Sequence, residues 1–559
     1  MKAFALLALP LLLGSCKYAY KNREADLVVH NAQIFTMDGA GTKQTAMAIK
    51  DGRILELGPE FQILNRYRAK KTIDLGTKAV YPGFIDGHGH FLGYGLNKQK
   101  VNLAGAKSWG EVLRRVQAHA ATHPGTGWLL GRGWDQNLWP GREYPVNDSL
   151  NLLFPDRPVL LQRVDGHAAI VNQQALDRAG LDAAANIEGG LLAKQNGKLT
   201  GLLLDNAVSA FQKIFDDADE ATKRQAVLDA QRDCLAAGLT MVCDAGLDAG
   251  TIDLLKRMQA EGTLQIRIYA MLADDSANFK AYAAGPFISE RLVVRAVKCY
   301  ADGALGSRGA LLLQPYNDDP AAGHGLQLAR REHFVQVARW CKENGFQMAT
   351  HCIGDSANRL LLGVYGEVLG GTNDLRWRIE HAQCMDTADF HLFGKYNIIP
   401  SMQPTHATSD MGWAVDRLGP ARLANAYALK RLMRQNGMIA LGTDFPVEGI
   451  DPLMTFYAAT VRKNAEGQPA DGFQMADALS REEALRGMTV WNALATFTET
   501  DLGSLEVGKK ADFTVVDRDL MGVSEDLLKR AAITATFIGG EQVWPLRWAG
   551  AASRARVQS

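Results

Sequence analysis

Tyr81-Pro82-Gly83-Phe84-Ile85-Asp86-Gly87-His88-Gly89-His90 is the stretch on which the reading of this chain turns. An apolar run ends in two histidines two residues apart. Alternate residues of a β-strand face the same side, so His88 and His90 project together from a strand end. Neutral imidazole is a common ligand of divalent metals, zinc included. His-x-His also arises by chance, so the pair needs support from the rest of the chain.

Upstream, Asp26 to Phe35 is β-branched and partly alternating. Ala46 to Leu57 carries Asp51-Gly52 between two apolar runs, a hairpin signal. Far downstream, Asp512 to Asp517 and Ile533 to Trp544 read as strands again, with Gly539-Gly540 as a second hairpin turn. Two short β segments each bury little apolar surface alone. Segments 24–80 and 502–546 are therefore expected to form one composite β-sandwich.

Between them, over 81–501, apolar strand-like runs alternate with periodic helical stretches such as Ala221 to Ala237 and Arg331 to Asn344. This alternation predicts an α/β fold, a (β/α)₈ TIM barrel with reactive side chains at the C-terminal strand ends. One region breaks the pattern. Residues 105–207 are rich in Gly, Pro and Trp and read as an insertion after the first strand, with its own helices and loops over the barrel mouth.

Four later strand ends carry donors: Lys298, His351, His381 and Asp444. Each alone has a structural account: a core histidine, a hydrogen-bonded neighbour, a turn cap, or a pair between Lys298 and Asp302. Together with His88 and His90 they place nitrogen and oxygen donors around one mouth, in barrel order. That set suits zinc, with manganese, iron, cobalt or nickel open from ligand type alone.

These residues carry a family resemblance. Pro82 to His90, Asp165-Gly166-His167-Ala168-Ala169, Val297 to Arg308, His351-Cys352-Ile353-Gly354-Asp355, Arg378 to Gln383, Gly442-Thr443-Asp444-Phe445-Pro446 and the tail Gly503 to Asp512 resemble the amidohydrolase superfamily, and within it the amidohydrolase-3 type that includes N-substituted formamide deformylases. The resemblance implies two Zn²⁺ per subunit. His88 and His90 bind one and His351 and His381 the other, with a carbamylated Lys298 bridging. Asp444 binds metal and handles the proton of a metal-activated hydroxide. The opening motif departs from the commoner family forms by having Gly87 and Gly89, which are expected to leave the strand end loose. Asp302 and Glu380 flank the ligands as candidate supporting partners. His167, Arg308, His406 and Trp134 are candidate substrate contacts, with Asp135 and Trp139 also near the pocket.

The resulting expectation is an exported hydrolase of a small-molecule amide, formamide or cyclic amide C–N bond. An aminohydrolase that deaminates a heterocycle and a lipoprotein that binds without turnover are the alternatives. With 61 basic and 61 acidic residues, the formal net charge is zero, which gives no electrostatic case for nucleic acid. The partner expected is a small-molecule substrate, and a homo-oligomer is left open. Met1-Lys2, the apolar run to Leu13, and Leu13-Gly14-Ser15-Cys16 read as a signal peptide over 1–15 that resembles a bacterial lipobox. Cys16 would then carry lipid and anchor the protein in the cell envelope. Lys17, in place of Asp, favours the outer membrane. The other six cysteines, Cys234, Cys243, Cys299, Cys341, Cys352 and Cys384, sit singly in apolar segments and are expected to be buried free thiols.

Overall fold

The computed structural model describes residues 23–211 and 218–545. The signal segment and Cys16 lie outside the described residues. Eight parallel strands form the central sheet: Phe84–Gly89, Leu239–Leu247, Arg267–Ala273, Leu292–Tyr300, Gln347–Cys352, Arg378–His381, Ile399–Met402 and Ala440–Leu441. They lie side by side in chain order. Most are apolar runs without alternation, because a parallel sheet under helices is buried on both faces. Ile85, Met241, Tyr269, Met271, Ala296 and Ala349 pack together in one buried cluster formed from these strands.

The helices between strands follow the sequence period. The predicted helix over 331–344 is Arg331–Asn344. It buries Phe334, Val335, Val337, Ala338 and Cys341 and ends at Gly345, whose φ of 75° forms a left-handed cap. The helix expected from Ala221 is Glu220–Ala236, started by the Asp219 carboxylate accepting from Thr222 N–H.

The eighth strand is short, and side chains and loops complete the join to the first. Asp444 N–H donates to His88 O at 2.8 Å and His90 N–H to Phe445 O at 2.8 Å. The Asp86 carboxylate accepts from Thr443 N–H at 3.0 Å and Thr443 Oγ1 at 2.7 Å. Asn492 Nδ2 reaches both Ile85 O, at 2.6 Å, and Leu441 O, at 2.8 Å. The seam that closes the barrel is thus also the place where the opening histidines meet Asp444.

Both ends of the chain build the flanking sheets. One sheet is entirely N-terminal, ordered Arg53–Gly58, Ala46–Lys50, Arg23–His30, Tyr67–Asp74. Asp51-Gly52 makes its two-residue hairpin, both at positive φ. The other runs Glu541–Trp544, Ile533–Ile538, Phe513–Val516, Ala79–Pro82, Gln33–Phe35, Lys43–Gln44. In it Ala79–Pro82 lies between a C-terminal and an N-terminal strand. Leu27, Val29, Met47 and Ile54 share a buried cluster with Phe513, Val515 and Phe537.

The insertion is more regular than its composition implies. It begins with the strand Val101–Asn102 and carries a six-stranded sheet, not only helices and loops. Three of its strands, Val101–Asn102, Leu129–Trp134 and Val159–Arg163, run parallel. These strands are short or broken by Gly and Arg, so they carry neither a clean alternation nor a long apolar run that would mark a sheet. All six described cysteines are buried and free. Among the described residues, no helix is long and apolar enough to cross a membrane.

Candidate metal centre and its cavity

His88, at the end of the first barrel strand, is fully buried. Its Nδ1 lies 2.5 Å from Glu380 Oε2 on the sixth strand. A carboxylate acceptor there puts the ring proton on Nδ1 and leaves the Nε2 lone pair facing inward. Nε2 lies 3.3 Å from Lys298 Nζ and 3.5 Å from Asp444 Oδ1. His90 Nε2 approaches the same oxygen at 3.2 Å. His381 repeats the device: its Nδ1 is 2.6 Å from Gln403 Oε1 on the loop after the seventh strand. Its ring centroid is 4.9 Å from that of His88 and 4.6 Å from that of His351.

The donor atoms fit a metal ion. One donor atom each from His88, His381 and Asp444 all lie within 4.8 Å of one another. His351 Nε2 and Asp444 Oδ1 are buried with no hydrogen-bond partner, an arrangement that costs free energy unless something else satisfies them. Burial drives the imidazoles of His351 and His381 well below their usual range, and that of His88 to about 4. They are therefore neutral, the form that ligates metal. Burial also lowers the Lys298 amine to about 8. Burial opposes ionisation of Asp444, yet the adjacent histidines His406 and His90 outweigh it and hold this carboxyl well below the usual range.

The supports are charged as well as hydrogen-bonded. Glu380 Oε2 accepts from Ser401 Oγ at 2.7 Å and Arg378 Nη2 at 3.0 Å, and Arg378 Nη2 also donates to Gly87 O at 2.5 Å. Burial would raise the Glu380 carboxyl, but Arg378 and His88 overcome it and keep it an anion. His381 and Asp444 both have left-handed backbones, φ 71° and 62°. For residues with a Cβ this conformation costs of order 1–3 kcal/mol and is typical of functional sites.

Gly87 and Gly89 do not loosen the strand end. A Cβ on Gly87 would stand 2.7 Å from Asn492 Oδ1 and 2.8 Å from Leu441 O, and one on Gly89 would stand 2.6 Å from the Phe445 ring. The glycines let the seam close tightly.

A cavity of about 950 Å³ opens above this cluster, lined by the barrel strand ends and the insertion. His90, Lys298, His351, His381 and Asp444 line it, with His88 beneath. His167 reaches it from the insertion. Its Nδ1 is 2.8 Å from Asp205 Oδ1, and its ring packs 4.8 Å from that of His351. His406 also lines it, with Nε2 3.3 Å from Asp444 Oδ2. That carboxylate outweighs burial and raises the His406 imidazole to about 9. Asp302 sits nearby, 3.7 Å from His351 Nε2, but its carboxylate mainly accepts backbone N–H groups of Leu311, Ile353 and Gly354.

Two expected substrate contacts are elsewhere. Trp134 is fully buried in the core of the insertion and donates from Nε1 to Leu161 O at 2.8 Å. Trp139 packs beside it. The large apolar indole is worth more in that core than on a polar wall. Arg308, on a left-handed backbone of φ 58°, turns away to pair with Asp318 at 2.9 Å and lines a separate, smaller cavity. Asp135 does line the main cavity, paired with Arg163. Gln403, Ser401, Asp86, Asn492 and Arg132 were not singled out from sequence. Asp86 stood inside the opening stretch, and its place two residues before His88 was the available signal.

A parallel barrel whose strand ends bring imidazoles, a lysine and a carboxylate to one cavity has the architecture of a metal-dependent hydrolase. The chain belongs to the amidohydrolase family, whose profile matches residues 71–544. It is 32% identical over 542 residues to Protein LONG AFTER FAR-RED 3 of Arabidopsis thaliana, covering 93% of this chain and 92% of that protein. It is 26% identical over 539 residues to the N-substituted formamide deformylase of Arthrobacter pascens, covering 92% and 97%. The fold resembles the crystal structure of an uncharacterized metal-dependent hydrolase from Pyrococcus horikoshii, with TM-score 0.73 and 27% identity, covering 89% of this chain and 99% of that one.

Proposed function

We propose that this chain hydrolyses a non-peptide C–N bond of a small molecule: an amide, formamide or cyclic amide. The observation that carries the reading is Asp444 Oδ1, a buried and unpartnered carboxylate oxygen 3.2 Å from His90 Nε2 and 3.5 Å from His88 Nε2, at the floor of the cavity. His88, His90, His351, His381 and Asp444 would hold divalent metal, taken here as two zinc ions, with Lys298 Nζ 3.3 Å from His88 Nε2. Metal bound there supplies a lowered pKa to coordinated water and polarises a carbonyl.

The chain's own residues do the rest. Glu380 and Gln403 hold the His88 and His381 rings so that both Nε2 atoms point inward. Asp444, held ionised, takes a proton from the attacking water and returns it to the departing nitrogen. Lys298, buried and readily neutral, is suited to capture CO₂ as a carbamate, an anionic bridge among neutral imidazoles. The insertion supplies a wall of the cavity through Arg132, Arg163, Asp165 and His167.

The same reading includes export. The lipobox-like Leu13-Gly14-Ser15-Cys16 supports lipid attachment at Cys16 and a place in the outer membrane. Labelled palmitate should enter the wild-type protein and not the Cys16→Ala variant.

Elemental analysis of the purified protein, chelation, reloading and a substrate panel test the activity. Release of acid and amine from formamides or acyl amino acids, or ring opening of hydantoins to N-carbamoyl amino acids, is the expected result, lost on chelation and restored by zinc. Ammonia release from aminated heterocycles alone would replace this reading with a deaminase.

A further inference from the structure

Two arginines of the insertion line the cavity, Arg132 and Arg163. They lie at or near the ends of adjacent parallel strands, yet their surroundings differ. Arg163 is buried and neutralised. Its Nη atoms meet the carboxylates of Asp165 and Asp135, and its Nε donates to Gln136 Oε1 at 2.7 Å. Arg132 forms no ion pair among the described residues. Its Nη1 donates to Gln162 Oε1 at 3.2 Å and its Nη2 to Val164 O at 3.1 Å, both neutral acceptors. Its Nε is buried and has no partner.

The guanidinium is nonetheless held in place. Gln162 spends its Nε2 on Gly166 O at 3.1 Å, which turns its Oε1 toward Arg132. Gly166 has φ +81°, and a Cβ there would come within 3.3 Å of Arg132 Nη2. A side chain at that position would be strained by the positive φ and would press on the guanidinium. Nε–H and one N–H on each terminal nitrogen are left unspent. Arg132 is half-buried with no carboxylate in contact among the described residues, whereas one strand away the same sheet supplies Arg163 with two.

The acids of the cavity wall are already engaged. Asp205 is bonded to His167, Asp244 accepts Phe91 and Leu92 N–H, and Asp410 accepts Tyr427 and Gln383. Of the charges that offset burial at Arg132, Asp165 comes first and is already paired with Arg163, and Asp444 follows at the floor of the same cavity.

We infer that Arg132 is a specificity-determining residue that binds a carboxylate of the substrate through the unspent N–H groups of its two terminal nitrogens. The substrate class is then an N-acyl, N-formyl or N-carbamoyl compound with a carboxylate close to the scissile C–N bond. A guanidinium presents that fork to a planar anion and an ammonium does not. The inference rests on the hydrolase reading above and refines it.

The test uses matched pairs, N-acetyl-, N-formyl- and N-carbamoylglycine against their uncharged glycinamides. Binding is measured by calorimetry and turnover by amine release, with metal-loaded wild type, Arg132→Gln and Arg132→Lys. Wild type should prefer the carboxylates. In Arg132→Gln the carboxylate-over-amide binding ratio should fall by about thirtyfold or more, and Arg132→Lys should recover part of it. Thermal melting checks that the variants are folded. Equal binding of both members to wild type, binding of neither, or an unchanged ratio in Arg132→Gln overturns the assignment. Arg132-dependent binding with hydrolysis of neither member supports the subsite and overturns the hydrolase reading instead.

Discussion

The barrel and the insertion each aim the ends of parallel strands at the same cavity, but they arrange their polar groups differently. At the barrel ends, two of the ligand-type imidazoles are oriented by a side chain from another strand or its loop: His88 by Glu380, His381 by Gln403. The seam leaves no room even for a methyl on Gly87. In the insertion, one arginine is locked between two carboxylates and its neighbour is left with a bare Nε. The difference separates two tasks. Chemistry needs donors fixed to fractions of an ångström, whereas recognition needs a group held in place yet unsatisfied until its ligand arrives. The rigid barrel does the first and the appended sheet the second, so substrate can change without disturbing the floor.

The largest test of that division is Asp444→Asn. Turnover should fall by about 10²–10⁴-fold for every substrate while elemental analysis finds metal retained; equal loss of metal would return Asp444 to a purely ligating role. Next is Glu380→Ala, which strands Arg378 in the barrel centre and releases the His88 ring. Chemical unfolding should show a loss of about 3–5 kcal/mol, and competition with a chelator a metal affinity lower by about 10–100-fold. Arg163→Met should cost the insertion a similar ~3–5 kcal/mol by leaving Asp135 and Asp165 unpaired. Here hydrogen exchange should rise over 101–205 with metal content unchanged, and metal loss would show that the two regions are not separable. The smallest effect belongs to Arg308→Ala. Its partly exposed pair with Asp318 is worth under about 1 kcal/mol, and kcat/KM should stay within about twofold of wild type because the side chain points away from the main cavity.

What the sequence reveals follows the same boundary. The barrel was readable because each donor sits where an apolar run stops, and the order His88, Lys298, His351, His381, Asp444 follows the strand order around the sheet. The terminal sandwich was readable from Asp51-Gly52 and Gly539-Gly540, which form the expected two-residue hairpins. Gln403 was not, because an amide acquires its meaning only when the chain brings His381 to 2.6 Å. Trp134 and Arg308 were misplaced for a related reason. A tryptophan or arginine in a loop-like segment carries no mark of which way it faces. Arg132 was invisible because its distinction, unspent N–H groups with no carboxylate in contact, is a property of its neighbours.

The strand Ala79–Pro82 that leads into the opening histidines also sets an order in time. It pairs with Phe513–Val516, in register Pro82 to Phe513, and Gly83 N–H donates to Asp512 O at 2.9 Å. A ribosome that has just finished the eighth barrel strand has not yet made the residues that hold the root of the first. His88 and His90 come first among the ligand residues in sequence, and the strand that roots them needs Phe513–Val516 as its partner. Long-range pairing of this kind slows folding, and it ties the root of the metal site to residues more than four hundred positions away.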